Sequence, residues 1–583
     1  MADKDGTHEG PPHRRLQDPL HLPEILILIG RHLCQDDITS CVRVSRAWHS
    51  AMEPFLWKSV SMVHDSTPFT DDASLYPDAA SMLRNVCRIK SLELTGVSMS
   101  QRMHMMVPSL QDQLVHLSVA HYSSDVDQIL AQNSKTLQSF VCSDVAAVLQ
   151  RPPHQLFMPP VPRLQGVTAF WDRMVSLDRL HTLSLTHVPV YKAQQETFFT
   201  VCNRLTSLTL QRGSGTFDMY PPTKQPFTRM RRLALRRNSM AFRGQFRFIT
   251  QCPNLEHFAW ISSQASLFNS LMFHITTLPE EEPCRIVSLD LSYTDMYDKD
   301  FAQVLSCFPR LKRLIAVASL FGESCSEQVV YFMSETLEEL DVRCCRNASS
   351  ALIQVILMLC KNLKRFRADH FSARVMAALP NQEIALWPQL RLFQEARTWF
   401  ASSMIMSVAS VPNPEAGSQG SEGTSTPGGG LRSEWIWACV GLEELELGVN
   451  DLGDDDDSMV DVLCSQLGAL IHLRRLVLGW RCAAAIKIQY KGTRLANERK
   501  KVATLDLGLS GGLSKLGSLT KLRVLDVRKM DRLSLTVRDV RWVGQHWRSL
   551  RRIYGRLIEG SEESANILQL LRTDYPHICL SIT

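Results

Sequence analysis

The chain has 583 residues, with 64 Lys and Arg against 59 Asp and Glu, so its formal net charge is +5. Hydrophobic residues make up 45% and charged residues 21%, a balance typical of folded domains that excludes a disordered chain. A charge excess this dilute also argues against a nucleic-acid binder, which concentrates basic residues on one face. The length allows several domains or one long repeat array.

The cysteine spacing and the first residues narrow the class of protein further. None of the 16 cysteines forms a Cys-x-x-Cys pair, which excludes a zinc module with closely spaced thiolates. Met1–Arg15 is polar and lacks the apolar core of a signal peptide, and the apolar run Ile25–Ile29 is far shorter than a membrane span. We therefore expect a soluble protein of the cytoplasm or nucleus with free thiols.

Residues 1–18 are small, polar and aperiodic, which predicts a disordered tail. Apolar residues then recur at helical spacing, and Pro23 suits the first turn of a helix. These residues are Leu22, Ile25, Leu26, Ile29 and Leu33.

Two more short helices are predicted before residue 60. Asp36 or Asp37 can cap the second helix, and the third contains Trp48 and Met52 and ends at Pro54. Three short helices in about 40 residues have a very small core, so apolar surface should remain for a partner.

Beyond residue 85 the unit Leu-x-x-Leu-x-Leu recurs along the chain. From Leu180, successive units begin 25, 25, 25, 31, 25, 26 and 26 residues apart. The regular series begins at Leu180, Leu205, Met230, Leu255, Ile286, Leu311, Leu337 and Leu363. Looser units begin at Ile89, Leu114 and Leu137, and later ones at Leu442, Leu473, Leu522 and Leu550.

The alternating apolar positions 4 and 6 of each unit predict a short strand with one buried face, and the rest of the unit predicts a returning helix. Because no unit can bury its own apolar face, neighbouring units must stack. The fold class is therefore α/β: three short helices, then a curved solenoid with a row of parallel strands and outer helices. Four cysteines, each three residues before a unit, should be buried in it: Cys202, Cys252, Cys360 and Cys439.

These patterns divide the chain into segments. The three helices occupy residues 19–60, a linker 61–84 and repeats 85–409. A Gly-, Ser- and Pro-rich insertion at 410–434 precedes further repeats at 435–583, which contain a basic loop near 481–503.

Residues 19–60 resemble an F-box, and the repeats resemble the leucine-rich repeats that often follow one. The residues that carry the resemblance are Leu22-Pro23-Glu24-Ile25-Leu26, Ile29, His32-Leu33, Asp37-Ile38, Cys41, Val44-Ser45-Arg46, Trp48 and Leu56-Trp57. The sequence departs from the family pattern at Ile38, where Leu is usual.

The resemblance implies a substrate receptor of an SCF-type ubiquitin ligase. In that family the F-box docks on a Skp-type adaptor, which connects to a cullin and a RING subunit, and the receptor acts by proximity without a cofactor. The predicted adaptor contacts are Leu22, Pro23, Ile25, Ile29, Leu33, Val44 and Trp48. Leu56 and Trp57 are expected to lock the helices onto the solenoid.

Target proteins are expected on the outward positions 3, 5 and 7 of the strands, where charged side chains recur. The candidates are Arg232, Arg236, Arg313, Glu339, Asp341, Arg343, Arg365, Arg367, Glu444 and Glu446.

The sequence contains none of the strings Gly-x-Ser-x-Gly, Gly-x-Gly-x-x-Gly, Gly-x-x-x-x-Gly-Lys or His-Glu-x-x-His, and we predict neither catalytic residues nor a metal. Two alternatives stay open. The chain could be an interaction scaffold that binds the adaptor without assembling a ligase, or its solenoid could be a receptor gated by a small molecule.

Overall fold

A computed structural model describes residues 22–63, 79–95, 107–145, 161–213, 226–238, 242–261, 285–372, 437–450, 457–479, 509, 512–529, 536–555 and 562–582. The predicted tail 1–18, the insertion 410–434 and the basic loop near 481–503 lie outside these residues. The chain forms two compact units, residues 1–232 with 238–253, and residues 233–237 with 254–583.

The first three helices pack around a small core. They are α1 (Pro23–Gly30), α2 (Gln35–Cys41) and α3 (Arg46–Leu56). Pro23 occupies the first turn of α1, and the Ser45 hydroxyl caps α3 by accepting a hydrogen bond from the Trp48 amide at 3.3 Å. The buried core residues are Leu26, Ile38, Ala51 and Met52.

Two predicted helix ends are wrong. The structure begins α2 at Gln35, so Asp37 lies inside its first turn instead of capping it, and the Cys34 thiol donates to the Asp37 carboxylate at 3.0 Å. The third helix continues past Pro54 to Leu56, because Leu56 and the neighbouring Phe55 pack against the core of the three helices.

Six strands of the first unit pair consecutively and in parallel. They are β1 (Ser59–Val63), β2 (Ser91–Thr95), β3 (His116–His121), β4 (Ser139–Asp144), β5 (Thr182–Thr186) and β6 (Ser207–Gln211). The helices between and after them are α4 (Ala79–Asn85), α5 (Ser124–Gln132), α6 (Val161–Ser176), α7 (Gln195–Cys202) and α8 (Phe242–Thr250). Because β1 follows α3 directly, the row begins before residue 85, inside the predicted F-box and linker.

Among the described residues of the second unit, ten strands also pair consecutively and in parallel. They are β8 (His257–Ile261), β9 (Ser288–Asp290), β10 (Arg313–Ile315), β11 (Glu339–Val342), β12 (Arg365–Ser372), β13 (Glu444–Asn450), β14 (Arg475–Gly479), β15 (Val524–Lys529), β16 (Arg552–Gly555) and β17 (Cys579–Ile582). Its helices are α9 (Asp298–Ser306), α10 (Glu323–Met333), α11 (Ser350–Leu359), α12 (Asp457–Gly468), α13 (Val537–His546) and α14 (Glu562–Thr573). The boundary between the units falls within β7 (Arg232–Arg236).

The predicted repeat leucines occupy the buried positions of this row. In the second unit, Leu314, Leu340 and Phe366 are in register at position 4 and are fully buried. The residue at position 8 also repeats its backbone conformation, since Tyr293, Ala318 and Cys344 all have a left-handed φ of 53–59°. The sequence period is therefore a structural period, as predicted.

The four cysteines that precede units are buried, as expected, and their exposed fractions do not exceed 5%. Burial raises the pKa of each thiol above its ordinary value: Cys202, Cys252, Cys360 and Cys439. These side chains therefore act as small apolar groups at the corner before each strand.

A polar cluster anchors α5 to α6 in the first unit. The Asp127 carboxylate accepts hydrogen bonds from the Tyr122 hydroxyl at 2.6 Å and from the Arg173 guanidinium at 3.0 and 3.1 Å. Burial by itself raises the pKa of Asp127, but the hydrogen bonds from Arg173 and Tyr122 outweigh it and lower the pKa below its ordinary value.

The Asp127→Asn variant is expected to lower the free energy of unfolding at pH 7 by about 1 kcal/mol, since the partly exposed charge is screened. A lowered folded pKa means that the ionised carboxylate stabilises the fold above the unfolded pKa of about 3.9, and that this contribution is lost as pH falls through the folded pKa. The free energies of unfolding of wild type and variant, measured by denaturant titration, should thus converge as the pH is lowered from neutral to acid. An equal loss in Asp172→Asn, an exposed neighbour on α6, would contradict the assignment.

Among the described residues, no helix has the length and apolar character that crossing a membrane requires.

Candidate functional site

The three-helix domain presents apolar side chains to solvent. Every residue of α1 from Ile25 to Ile29 is apolar, so the helix cannot hide all of them against one core. Leu26 is fully buried, whereas Leu28 is 55% exposed and Ile27 38% exposed. Val44, in the turn before α3, is 65% exposed. Ile27, Leu28 and Val44 are the large hydrophobic side chains that the described part of the domain exposes, and we refer to them as its exposed apolar surface.

The predicted adaptor residues divide between this surface and the core. Pro23 and Val44 are exposed, and Leu22 and Ile25 are half-buried. Three others, Ile29, Leu33 and Trp48, are half-buried and pack against the domain core. Leu56 packs against the same core, and Trp57 caps the C-terminus of α3. Leu28 and Ile27 are not among the predicted adaptor contacts, although the unbroken apolar run of α1 indicates that some of its side chains must face solvent.

Eight of the ten predicted target-contacting residues lie together in the second unit, in one ion-pair network. At position 3 of neighbouring strands, Glu339 pairs with Arg313 at 3.0 Å and with Arg365 at 3.6 Å, and Arg365 pairs with Glu444 at 3.5 Å. Arg367 connects the position 3 residues of the network with those at position 5. It pairs with Glu444, at position 3, at 3.3 Å and with the carboxylate of Asp341, at position 5, at 3.6 Å.

Arg343 occupies the most buried part of this network. Its guanidinium donates to both Asp341 oxygens, at 2.9 and 2.7 Å, and it lies 3.4 Å from Glu446. Burial by itself lowers the pKa of Arg343, but the hydrogen bond and charge of Asp341, with the charges of Glu446 and Asp369, raise it above its ordinary value. Four arginines thus balance four carboxylates, and Asp341 is only 2% exposed.

The two remaining candidates, Arg232 and Arg236, lie on β7 with exposed side chains and are not part of this network. The structure therefore places the predicted charges on the strand face, but most of them contact one another. Within the described ranges, no group of three His, Cys, Asp or Glu residues could hold a metal ion.

Comparison with known proteins identifies the N-terminal domain. Residues 21–63 match the F-box-like family. No curated protein matches the chain. Among solved structures, a TLR13–ssRNA13 complex is similar at 10% identity and a TM-score of 0.36, over 90% of this chain and 68% of that chain. An internalin (InlF) from Listeria monocytogenes str. 4b F2365 is similar at 9% identity and a TM-score of 0.22, over 82% of this chain and 86% of that chain.

The repeat assignment depends on this chain's own strand pairing and on its buried leucines. The chain therefore carries an F-box-like domain at residues 21–63, followed by parallel strands and helices built from leucine-rich repeats.

Proposed function

We propose that this protein is the substrate-recognition subunit of an SCF-type ubiquitin ligase in the cytoplasm or nucleus. Its F-box-like domain docks on a Skp-type adaptor, which connects it to a cullin and a RING subunit. The strand face of the repeats holds the target protein. The receptor performs no chemistry, because its contribution is to raise the effective concentration of target lysines near the conjugating enzyme.

One observation carries this proposal: the F-box-like domain leaves Leu28 and Val44 more than half exposed although its own core is very small. A three-helix domain with so small a core leaves apolar side chains available to a partner. An apolar helical surface fits a partner groove. The repeats support the second half of the proposal, since part of their strand face is open to solvent, as at the outward side chains Arg232 and Arg236 of β7.

The experiment is affinity purification of the full-length tagged protein from cells, with quantification of the adaptor, the cullin and the RING subunit. The ligase-receptor function predicts that all three are recovered. Recovery of the adaptor without the cullin would favour an interaction scaffold that assembles no ligase. Recovery of neither would refute the proposal.

A further inference from the structure

Charges on the second unit alternate in sign from strand to strand over β10–β14. Position 2 reads Lys312, Glu338, Lys364, Glu443 and Arg474, and position 3 reads Arg313, Glu339, Arg365, Glu444 and Arg475. Each carboxylate at position 2 is paired, with Lys312–Glu338 at 3.4 Å, Lys364–Glu338 at 2.6 Å and Arg474–Glu443 at 3.4 Å. Opposite charges on adjacent strands stabilise the row.

The alternation stops after β14. Arg474, Arg523 and Arg551 hold position 2 on three successive strands, since the Arg523 amide donates to the Arg474 carbonyl and the Arg551 amide to the Arg523 carbonyl, both at 2.8 Å. Arg475 and Arg552 hold position 3 on β14 and β16, with Val524 between them. Neighbouring strands are about 4.8 Å apart, so these cations are crowded along one edge.

We define the basic strip as the exposed residues Arg475, Lys521, Arg523, Arg551 and Arg552. Among the described residues, no carboxylate forms an ion pair with the strip, and Lys521 contacts only the His472 imidazole, at 2.9 Å. Like charges on adjacent strands destabilise a sheet. An anionic partner that binds the strip would relieve this repulsion without displacing an existing ion pair. A partner that binds the balanced network on β10–β13 would instead have to displace ion pairs that are already formed.

Two aliphatic side chains lie at the turns before β14, the first strand of the strip, and before its neighbour β13. Val440 and Ile471 occupy the same position, two residues before the first leucine, in consecutive repeats, and they are 52% and 49% exposed. Single-stranded nucleic acids are held by aromatic side chains that stack on bases. The large exposed aromatics described in this unit, Tyr297, Tyr331 and Phe332, belong instead to the region of α9 and α10.

We propose that the basic strip, with Val440 and Ile471, is a docking surface for an acidic segment of a partner protein that carries apolar side chains among its carboxylates. That the partner is a ligase target depends on the proposed function, but the binding itself does not. The strip spans about 10 Å across three strands, which an extended segment of about three or four residues crosses, so a peptide of about 12 residues covers it together with the neighbouring turns.

The test measures fluorescence anisotropy of a labelled peptide of about 12 residues, composed of Glu with interspersed Leu, against the full-length protein at low and moderate salt. The triple variant Arg523→Glu, Arg551→Glu, Arg552→Glu should weaken binding about tenfold or more. The matched control Lys299→Glu, Arg310→Glu, Arg572→Glu changes the net charge equally at exposed positions of the same unit and should change affinity less than about twofold. Val440→Ser with Ile471→Ser should weaken binding about fivefold.

A milder variant, Arg523→Gln, Arg551→Gln, Arg552→Gln, gives the same comparison if charge reversal impairs folding. Equal losses in the strip and control variants, no peptide binding by wild type, or tighter binding of a single-stranded DNA of similar length would each overturn the proposal. Adaptor affinity, measured on the same samples, should be unchanged in the strip variants. A wild type that binds the peptide but not the adaptor would refute the proposed function and leave this inference standing.

Discussion

Replacing Leu28 and Val44 together by aspartate should weaken binding of the Skp-type adaptor about 100-fold or more while the protein stays folded. Both side chains are more than half exposed in the free chain, so their loss costs the fold little. In the complex, each new aspartate would have to bury its charge where the wild-type side chain makes an apolar contact. Apolar contacts at the centre of an interface contribute about 2 kcal/mol or more each. Isothermal titration calorimetry with purified adaptor measures the change.

The matched control is His49→Asp with Ser50→Asp, two exposed polar positions on α3 that receive the same new charges. Its adaptor affinity should stay within about threefold of wild type. Trp48→Ala is a poorer test, because Trp48 packs against the core of the domain and its loss would also lower stability. Wild-type affinity in a folded Leu28→Asp, Val44→Asp variant would show that the adaptor does not use this surface.

The second large effect is expected at Asp341. Its carboxylate is almost fully buried, receives two hydrogen bonds from the Arg343 guanidinium and one from the Arg343 backbone amide, and forms an ion pair with Arg367. The Asp341→Ala variant removes the main partner of a guanidinium that is itself only 23% exposed, so we expect the free energy of unfolding to fall by about 3 kcal/mol. Denaturant unfolding monitored by circular dichroism measures this loss.

Glu338→Ala is the control, because Glu338 makes two ion pairs at the more exposed position 2 of the same strand row. Such solvent-exposed pairs contribute about 0–1 kcal/mol. If Asp341→Ala loses no more stability than Glu338→Ala, the charges of this network are solvated and available to a ligand. Their role would then be target binding, as the sequence alone predicts, instead of holding neighbouring strands together.

The sequence predicts the repeats well because the pattern that determines each repeat lies within one short stretch of the chain. A unit of about 25 residues that alternates apolar and polar positions buries the same leucines wherever it occurs, so Leu314 and Leu340 could be assigned without a structure. The corner cysteines follow from the same register. The F-box-like domain was identified in the same way, from an ordered series of short motifs within 40 residues.

The ion-pair network could not be predicted, because it depends on which strands are neighbours. Arg365 pairs with Glu444 only because β12 and β13 are adjacent in the sheet. In the sequence the two strands are separated by residues 373–443, which contain the predicted insertion. Sequence spacing also leaves open which face of a short helix meets its domain core. Trp48 packs inward and Leu28 faces solvent because α1 and α3 pack against each other in three dimensions.

In the proposed function, the F-box-like domain couples the repeats to a cullin through an adaptor. Analytical ultracentrifugation of the purified full-length protein with purified adaptor and cullin tests it most directly. We predict a single ternary species that forms only when the adaptor is present and that the Leu28→Asp, Val44→Asp variant fails to form. A folded wild-type protein that sediments alone beside the adaptor–cullin complex would refute the proposed function.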